Sequence, residues 1–308
     1  MDNDYVISAR TEDLSGEPHF ELTTKPRGSQ GLRTSKYGYV AFRDSNIRSG
    51  MNIAGLNCDK QTLHIATHPP PSKTLDNIDA AKICQWALEG FSSVEDLKLG
   101  LKDVNFVRSE DPKFAHGHWA FRDAEGKGLV LEFTNHTMQV YDDNNDDGKT
   151  GYGIMTNDPP FPEHLKRIAN LEKREHAAPS TVEVPGGWSS VDRFNRIFLI
   201  KSNMPKPGSA KEAVMQAAHT LNSVSVPFDH FYGGYETQWS ALYDHRNADL
   251  YWRSHTNQNM QRIRLADMNL AEGGTEKHLL VNSSQMSWFN DVSSLFQPNQ
   301  DDKKAIMV

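Results

Sequence analysis

The chain is short of cysteine, of long apolar runs and of positive charge, and each shortage removes a class of protein. Two cysteines in 308 residues, Cys58 and Cys84, are too few for the disulfide lattice of a small secreted scaffold. Cys84 falls on an apolar helical face and Cys58 in a strand-like run, so both read as small buried hydrophobes rather than nucleophiles or ligands. No uninterrupted apolar stretch approaches the roughly 18 residues of a membrane span; Ile197-Phe198-Leu199-Ile200 is among the longest. The opening Met1-Asp2-Asn3-Asp4 is acidic and lacks the apolar stretch of a secretion signal. A net charge of −7 argues against general attraction to nucleic acid or to an anionic membrane. From the chain as written the expected compartment is the cytoplasm by default. It becomes the periplasm or the exterior if a signal stood further upstream.

Cofactor signatures are missing as well. There is no HExxH, no Walker sequence and no dinucleotide fingerprint. Of the 13 histidines, His64 and His68 are four apart, but on a strand-like segment that ends at Pro69-Pro70-Pro71 and offers no third ligand. Asp143-Asn144-Asn145-Asp146-Asp147-Gly148 matches the first half of a calcium loop. The bidentate Glu such a loop requires at its twelfth position is replaced by Ile154, so the stretch reads as a solvated hairpin turn. No metal and no cofactor are expected.

What is there is an ordinary globular composition, 37% hydrophobic and 24% charged. Short β-branched or alternating runs come first: Tyr5 to Arg10, Tyr37 to Phe42 and Leu63 to Thr67. Ala80, Ile83, Cys84, Ala87, Leu88 and Phe91 then recur at helical spacing. Ser92-Ser93-Val94-Glu95 fits a capping box for a second helix carrying Leu97, Leu101 and Val104. Three strands follow, at 117–121, 128–133 and 137–141, with Gly- and Asn-bearing turns between them. Helices are expected near 162–174, 190–203 and 210–222, and strands again at 238–243, 249–253 and 262–265. This order predicts an α+β fold in which two sheets pack face to face under helices. Residues 1–296 read as one domain and 297–308 as a polar, disordered tail.

Taken singly, the notable polar residues have plain explanations. Arg193 near a helix start suits a surface ion pair. Asn157 before Asp158-Pro159 suits a turn. Arg10 and Asp13 at a strand end could pair with each other. Their order and context say more. Arg10…Asp13, Gly50-Met51-Asn52-Ile53-Ala54-Gly55-Leu56, Thr156-Asn157-Asp158-Pro159 and Pro185-Gly186-Gly187-Trp188…Arg193-Phe194 follow one another along the chain. Thr237-Gln238-Trp239-Ser240, Tyr251-Trp252-Arg253 and Asp267-Met268-Asn269-Leu270 come after them. This succession resembles the choloylglycine hydrolase family, which includes bile-salt hydrolases and penicillin V acylases.

The resemblance implies a four-layer αββα sandwich, the N-terminal nucleophile hydrolase fold, and hydrolysis of linear amide C–N bonds by an N-terminal cysteine. Such a thiol attacks while its own α-amine, with an ordinary pKa of about 7.7–8.0, shuttles the proton. By motif, Arg10 stands beside the nucleophile and Asp13 orients the α-amine. Asn157 donates to the oxyanion and Arg193 completes the charged cluster. Counted without gaps from Gly50, a second oxyanion position falls on Thr62. The cysteine itself would lie upstream of Met1 together with the first strand. The expectation is therefore a shortened sequence of an amidase. The alternatives are a non-catalytic relative that binds acyl amides, and an unrelated β-rich binding protein. Phenoxyacetyl amides, bile-acid conjugates and N-acyl homoserine lactones are the substrates the family suggests, with a homo-oligomer, a tetramer, as the assembly. Trp188, Phe228, Phe231, Tyr232 and Tyr235 are candidates to line an apolar acyl pocket. The partner expected is a small acyl amide, with neither nucleic acid nor membrane.

Overall fold

The structure is a computed structural model and describes residues 5–16, 19–143, 151–177, 183–227 and 234–295. The elements run β1 (Ile7–Ser15), β2 (Glu21–Lys25), β3 (Tyr39–Arg43), β4 (Ile47–Asn52), β5 (Asn57–Gln61), β6 (Asp76–Asp79), α1 (Ile83–Gly90), α2 (Val94–Gly100), β7 (Val104–Val107), β8 (His118–Arg122), β9 (Gly128–Thr134) and β10 (Thr137–Asp142). Then come α3 (Phe161–Ala177), α4 (Ser190–Ser202), α5 (Ala210–Asn222), β11 (Tyr235–Asp244), β12 (Asp249–Ser254), β13 (Asn257–Arg264) and β14 (His278–Leu280). Two antiparallel sheets result, one ordered β1-β11-β12-β13 and the other β10-β9-β8-β5-β4-β3-β2-β14. β6 and β7 form a separate parallel pair.

Each strand sends alternate residues to opposite faces, which sets the layers. Trp239, Ala241 and Tyr243 of β11 meet Val40, Phe42 and Met51 between the sheets, where the Trp239 and Phe42 rings stack at 4.1 Å. The outer face of the larger sheet, with Cys58, Trp119, Leu131 and Phe133, is covered by Ile83, Ala87, Leu88 and Leu97 of α1 and α2. The outer face of the smaller sheet, with Leu242 and the half-buried Ile7 and Ala9, is covered by Val214, Ala218 and Leu221 of α5. The order helix, sheet, sheet, helix is the four-layer αββα sandwich.

The Gly50 to Leu56 block is architectural. A Cβ on Gly50 would lie 2.7 Å from Ala41 Cβ and 2.9 Å from Leu88 Cδ1, so only glycine lets α1 approach the sheet. Asn52 is fully buried. Its Nδ2 donates to the carbonyls of Leu88 and Phe91, and its Oδ1 accepts from the amides of Ala54 and Leu56. One side chain thus ties the β4–β5 turn to the end of α1.

Several expectations are corrected. Cys58 and Cys84 are fully buried, as expected, but they form a disulfide with Cα atoms 5.4 Å apart. Residues 63–67 are not a strand: Leu63 and Ala66 are buried while Ile65 is 56% exposed, and the stretch turns back on itself with Ala66 N donating to Leu63 O. The second helix stops at Gly100, and Val104 opens β7 instead. Its cap is Ser93, whose Oγ accepts from Asp96 N, not the Ser92–Glu95 pair. Most of the acid-rich turn (144–150) and the tail 297–308 lie outside the described residues. Among the described residues no helix is long and apolar enough to cross a membrane.

Candidate active site

A register shift between Glu12 and Asp13 breaks the alternation of β1 where it pairs with β11. Bulges re-aim side chains, and here Asp13 meets residues from other elements. Its Oδ1 accepts from Thr237 Oγ1 at 2.6 Å, and its Oδ2 lies 3.7 Å from Arg193 Nη1. Arg193 is carried by α4, whose first turn is capped by Ser189 Oγ accepting from Asp192 N. The guanidinium donates to Trp188 O at 3.1 Å and to Asn157 Oδ1 at 2.7 Å. Asn157 Nδ2 in turn donates to Thr62 O at 3.0 Å. The Asn157 carbonyl is held at 3.1 Å by Nε2 of His164, which stacks on Phe194 at 4.3 Å. Burial pushes His164 down, which favours the neutral imidazole.

Four of the five expected site residues, Asp13, Thr62, Asn157 and Arg193, therefore form one connected chain. Asp13, Thr62 and Asn157 also line a cavity of about 30 Å³ together with Glu12, Arg48, Lys60 and Gln61, room for about two waters. A larger cleft of about 290 Å³ lies next to it, lined by Thr237, Ser240, Arg253 and His255 among others. It contains Thr237, which holds Asp13, but none of the five expected residues. The smaller cavity holds the concentration of ionisable groups.

Arg10 is placed differently. It is 4% exposed and turns into the layer between the sheets, over the Trp239 ring. It pairs with Glu12, not with Asp13, and Nη1 donates to the carbonyls of Arg48 and Lys60, both at 3.2 Å. Residues two apart on a strand share a face, which explains the choice. Arg48 joins Glu12 to Asp44, at 3.0 Å each. Asp59, 4.0 Å from Arg10, accepts from Ser49 Oγ. Of the aromatic candidates, Trp188 is half-buried and gives its carbonyl to Arg193, and Tyr235 is 46% exposed. Phe228, Phe231 and Tyr232 lie outside the described residues.

Four of the carboxylates and cations are shifted. Burial pushes Asp13 up, opposed by Arg193 and the Thr237 hydroxyl. Burial also raises Asp59, against Arg10. Asp44 is buried too, but hydrogen bonds and charge from Arg48 and Lys113 pull it down to about 2. Lys60 falls to about 8 through burial and the neighbouring Arg48 and Arg10 charges. Glu12, Arg48 and Lys60 carry no sequence motif. Their only signal is charge inside strands that must be covered on both faces. Among the described residues no group of three or more His, Cys, Asp and Glu converges as a metal site would.

Two inner sheets between helix layers, with a carboxylate, an arginine and an amide gathered at one strand end, define the N-terminal nucleophile hydrolase fold. Residues 1–286 match the model of the linear amide C–N hydrolases, choloylglycine hydrolase family, and the chain belongs to that family. It is 26% identical over 251 residues to an uncharacterized protein of Paramecium bursaria Chlorella virus 1, a match covering 73% of this chain and 86% of that one. It is 28% identical over 229 residues to a bile salt hydrolase/transferase of Clostridium perfringens, covering 67% of this chain and 65% of that one. The penicillin V acylase of Agrobacterium tumefaciens superposes with a TM-score of 0.77 at 25% identity, over 90% of this chain and 88% of that one. Membership removes the reading of an unrelated β-rich binding protein.

Proposed function

We propose that residues 1–296 are a hydrolase domain acting on the linear amide bond of small N-acyl amides. In this reading the nucleophile is a cysteine on a segment preceding Met1. The chain from Asp13 through Arg193 and Asn157 to Thr62, closing on a small cavity, is the observation that carries it. Two further points support it. Cys58 and Cys84 are buried and bonded to each other, so neither supplies a thiolate. Among the described residues β1 is the last strand of its sheet, and an antiparallel partner on that edge would run its free end toward Asp13.

The incoming thiol gives its proton to its own α-amine, which Asp13 orients. The thiolate adds to the amide carbon, and Asn157 Nδ2 donates to the oxyanion. Arg193 fixes Asn157 through Oδ1 and balances Asp13, so the donor is held before charge develops. Arg10 supplies positive potential near the thiol, which favours the thiolate. Thr62 contributes a backbone amide to the oxyanion. Trp188, Phe228, Phe231 and Tyr235 contribute to the acyl side.

The test extends the chain with its natural upstream sequence and measures hydrolysis of penicillin V, a conjugated bile acid and an N-acyl homoserine lactone. At least one is cleaved, and Asn157→Ala lowers kcat by about 10²–10³-fold, as loss of one oxyanion donor does elsewhere. A cysteine-bearing full chain that cleaves none of them sinks the reading. Binding without cleavage would favour the non-catalytic relative, a reading supported by one observation: Arg10 is committed to Glu12. The same material run on a sizing column tests the expected tetramer.

A further inference from the structure

Asn157 sits on an irregular stretch before α3, so no secondary structure aims its side chain. Other residues do. Oδ1 accepts from Arg193 Nη2, and one Nδ2 proton goes to Thr62 O. An amide nitrogen carries two protons, and among the described residues nothing takes the second. The main chain is held separately, by His164 Nε2 at 3.1 Å from the Asn157 carbonyl. A carbonyl only accepts, so Nε2 carries the proton.

His164 is itself set by two packed elements. Residues three apart share a helix face, and on α3 both Phe161 and His164 are buried. The Phe161 amide, in the first turn of α3, donates to Glu132 Oε1 at 2.9 Å. His118 Nδ1 donates to the same oxygen at 2.8 Å. Glu132 on β9 and His118 on β8 are buried on the face opposite their neighbours Leu131 and Trp119, which pack under α1 and α2. The flat side of the His164 ring stacks on Phe194 with 6° between the planes. Phe194 follows Arg193 on α4. One ring thus joins the main chain of Asn157 to the helix that carries its arginine.

We propose that His164 is a positioning residue for amide hydrolysis, holding the Asn157 carbonyl so that the second Nδ2 proton faces the oxyanion. This rests on the amidase reading. His164 acts through Asn157 and needs no contact with a reacting atom. A donor aimed in advance stabilises developing charge without reorganising at the moment of reaction. With its carbonyl released, the Asn157–Asp158 peptide is free to turn, and the side-chain amide loses its aim. The neutral substrate carbonyl gains far less from that aim than the oxyanion does. The loss should therefore fall on kcat and leave KM nearly unchanged.

The experiment uses the full, cysteine-bearing chain with penicillin V, a conjugated bile acid and an N-acyl homoserine lactone, and follows whichever is cleaved fastest. His164→Phe keeps the stack on Phe194 and removes the donor. It should lower kcat by about 10- to 10²-fold, the scale of a small misplacement, with KM within about twofold of wild type. His164→Gln places an amide donor nearby and should recover most of the rate. His164→Met has the same length without the donor and should not. In an Asn157→Ala background His164→Phe should add no further loss, because the donor it aims is gone. Circular dichroism verifies folding, and the Gln and Met pair carries the comparison if the Phe variant does not fold. A folded Phe or Met variant at the wild-type kcat would overturn the proposal and leave the amidase reading intact. So would a Gln variant as slow as Met, or the full His164→Phe loss repeated in the Asn157→Ala background. A wild-type full chain that cleaves none of the three substrates overturns that reading and this one with it.

Discussion

At the scale of the residue, Asp13 and Arg193 depend on each other. Burial raises the Asp13 pKa, and Arg193 is the largest influence lowering it. Ionising a carboxyl whose folded pKa is raised opposes folding, so stability declines as pH rises from the ordinary value through the folded one. Arg193 limits that decline. Arg193→Ala should therefore destabilise the protein by about 2 kcal/mol at pH 7, the scale of losing hydrogen bonds to charged groups. The penalty should shrink at about pH 4, because the raised Asp13 takes up its proton more readily there than an ordinary carboxyl and then needs a cation less. Urea unfolding at the two pH values reads the difference. An unchanged penalty would mean that Arg193 acts only through Trp188 O and Asn157 Oδ1.

At the scale of the element, the informative join is between β5 and α1. Cys58 and Cys84 sit 26 residues apart in sequence, on a strand and on a helix that packs over it. Breaking the link with Cys84→Ala should cost about 3 kcal/mol, the usual scale for a loop of this length. Intact mass and thermal unfolding, with and without reductant, check it; a reductant-insensitive midpoint would argue against the link. Nothing in the sequence announced this pair, because cysteine spacing does not encode Cα proximity across two elements. Long periodic elements were legible: α4 and α5 fall within one residue of their expected ranges. Short ones were not. Leu63, Ile65 and Thr67 alternate like a strand, yet the segment is a turn that follows directly on Thr62, whose carbonyl meets Asn157. The apolar run ending at Val104 is cut at Gly100, and the remainder pairs in parallel with β6. The same limit applies to the site. Asp13, Asn157 and Arg193 could be recognised by their order along the chain. The partner of Arg10 was settled by strand alternation, two residues away at Glu12. Lys60 could not be picked out, because its meaning depends on which sheet face β5 turns inward.

At the scale of the whole molecule, acid should act first through histidine. His245 is 1% exposed and ties the two sheets together. Its Nδ1 meets the Gly55 carbonyl of the β4–β5 turn at 2.8 Å, and its Nε2 meets Ser8 Oγ of β1 at 2.7 Å. A carbonyl only accepts, so Nδ1 carries the proton and Nε2 accepts from the serine. Protonating Nε2 reverses that bond. Burial pushes His245 down to about 4, and His68 likewise. A depressed histidine stabilises the fold fully above its unfolded value of about 6.5 and loses that contribution as pH falls toward the folded value. For His245 this amounts to roughly 3 kcal/mol by pH 4. The acidic groups act lower or oppositely. Asp44, held at about 2, loses its contribution only below the ordinary carboxyl range. The raised pKa values of Asp13 and Asp59 add stability as they take up protons. Urea midpoints should therefore fall between about pH 6.5 and about 4.5, before any loss assignable to Asp44. His245→Gln should be less stable at about pH 7.5 but show a shallower decline over that window. A wild-type midpoint that stays flat down to about pH 4.5 would mean that these imidazoles are not held neutral in the fold.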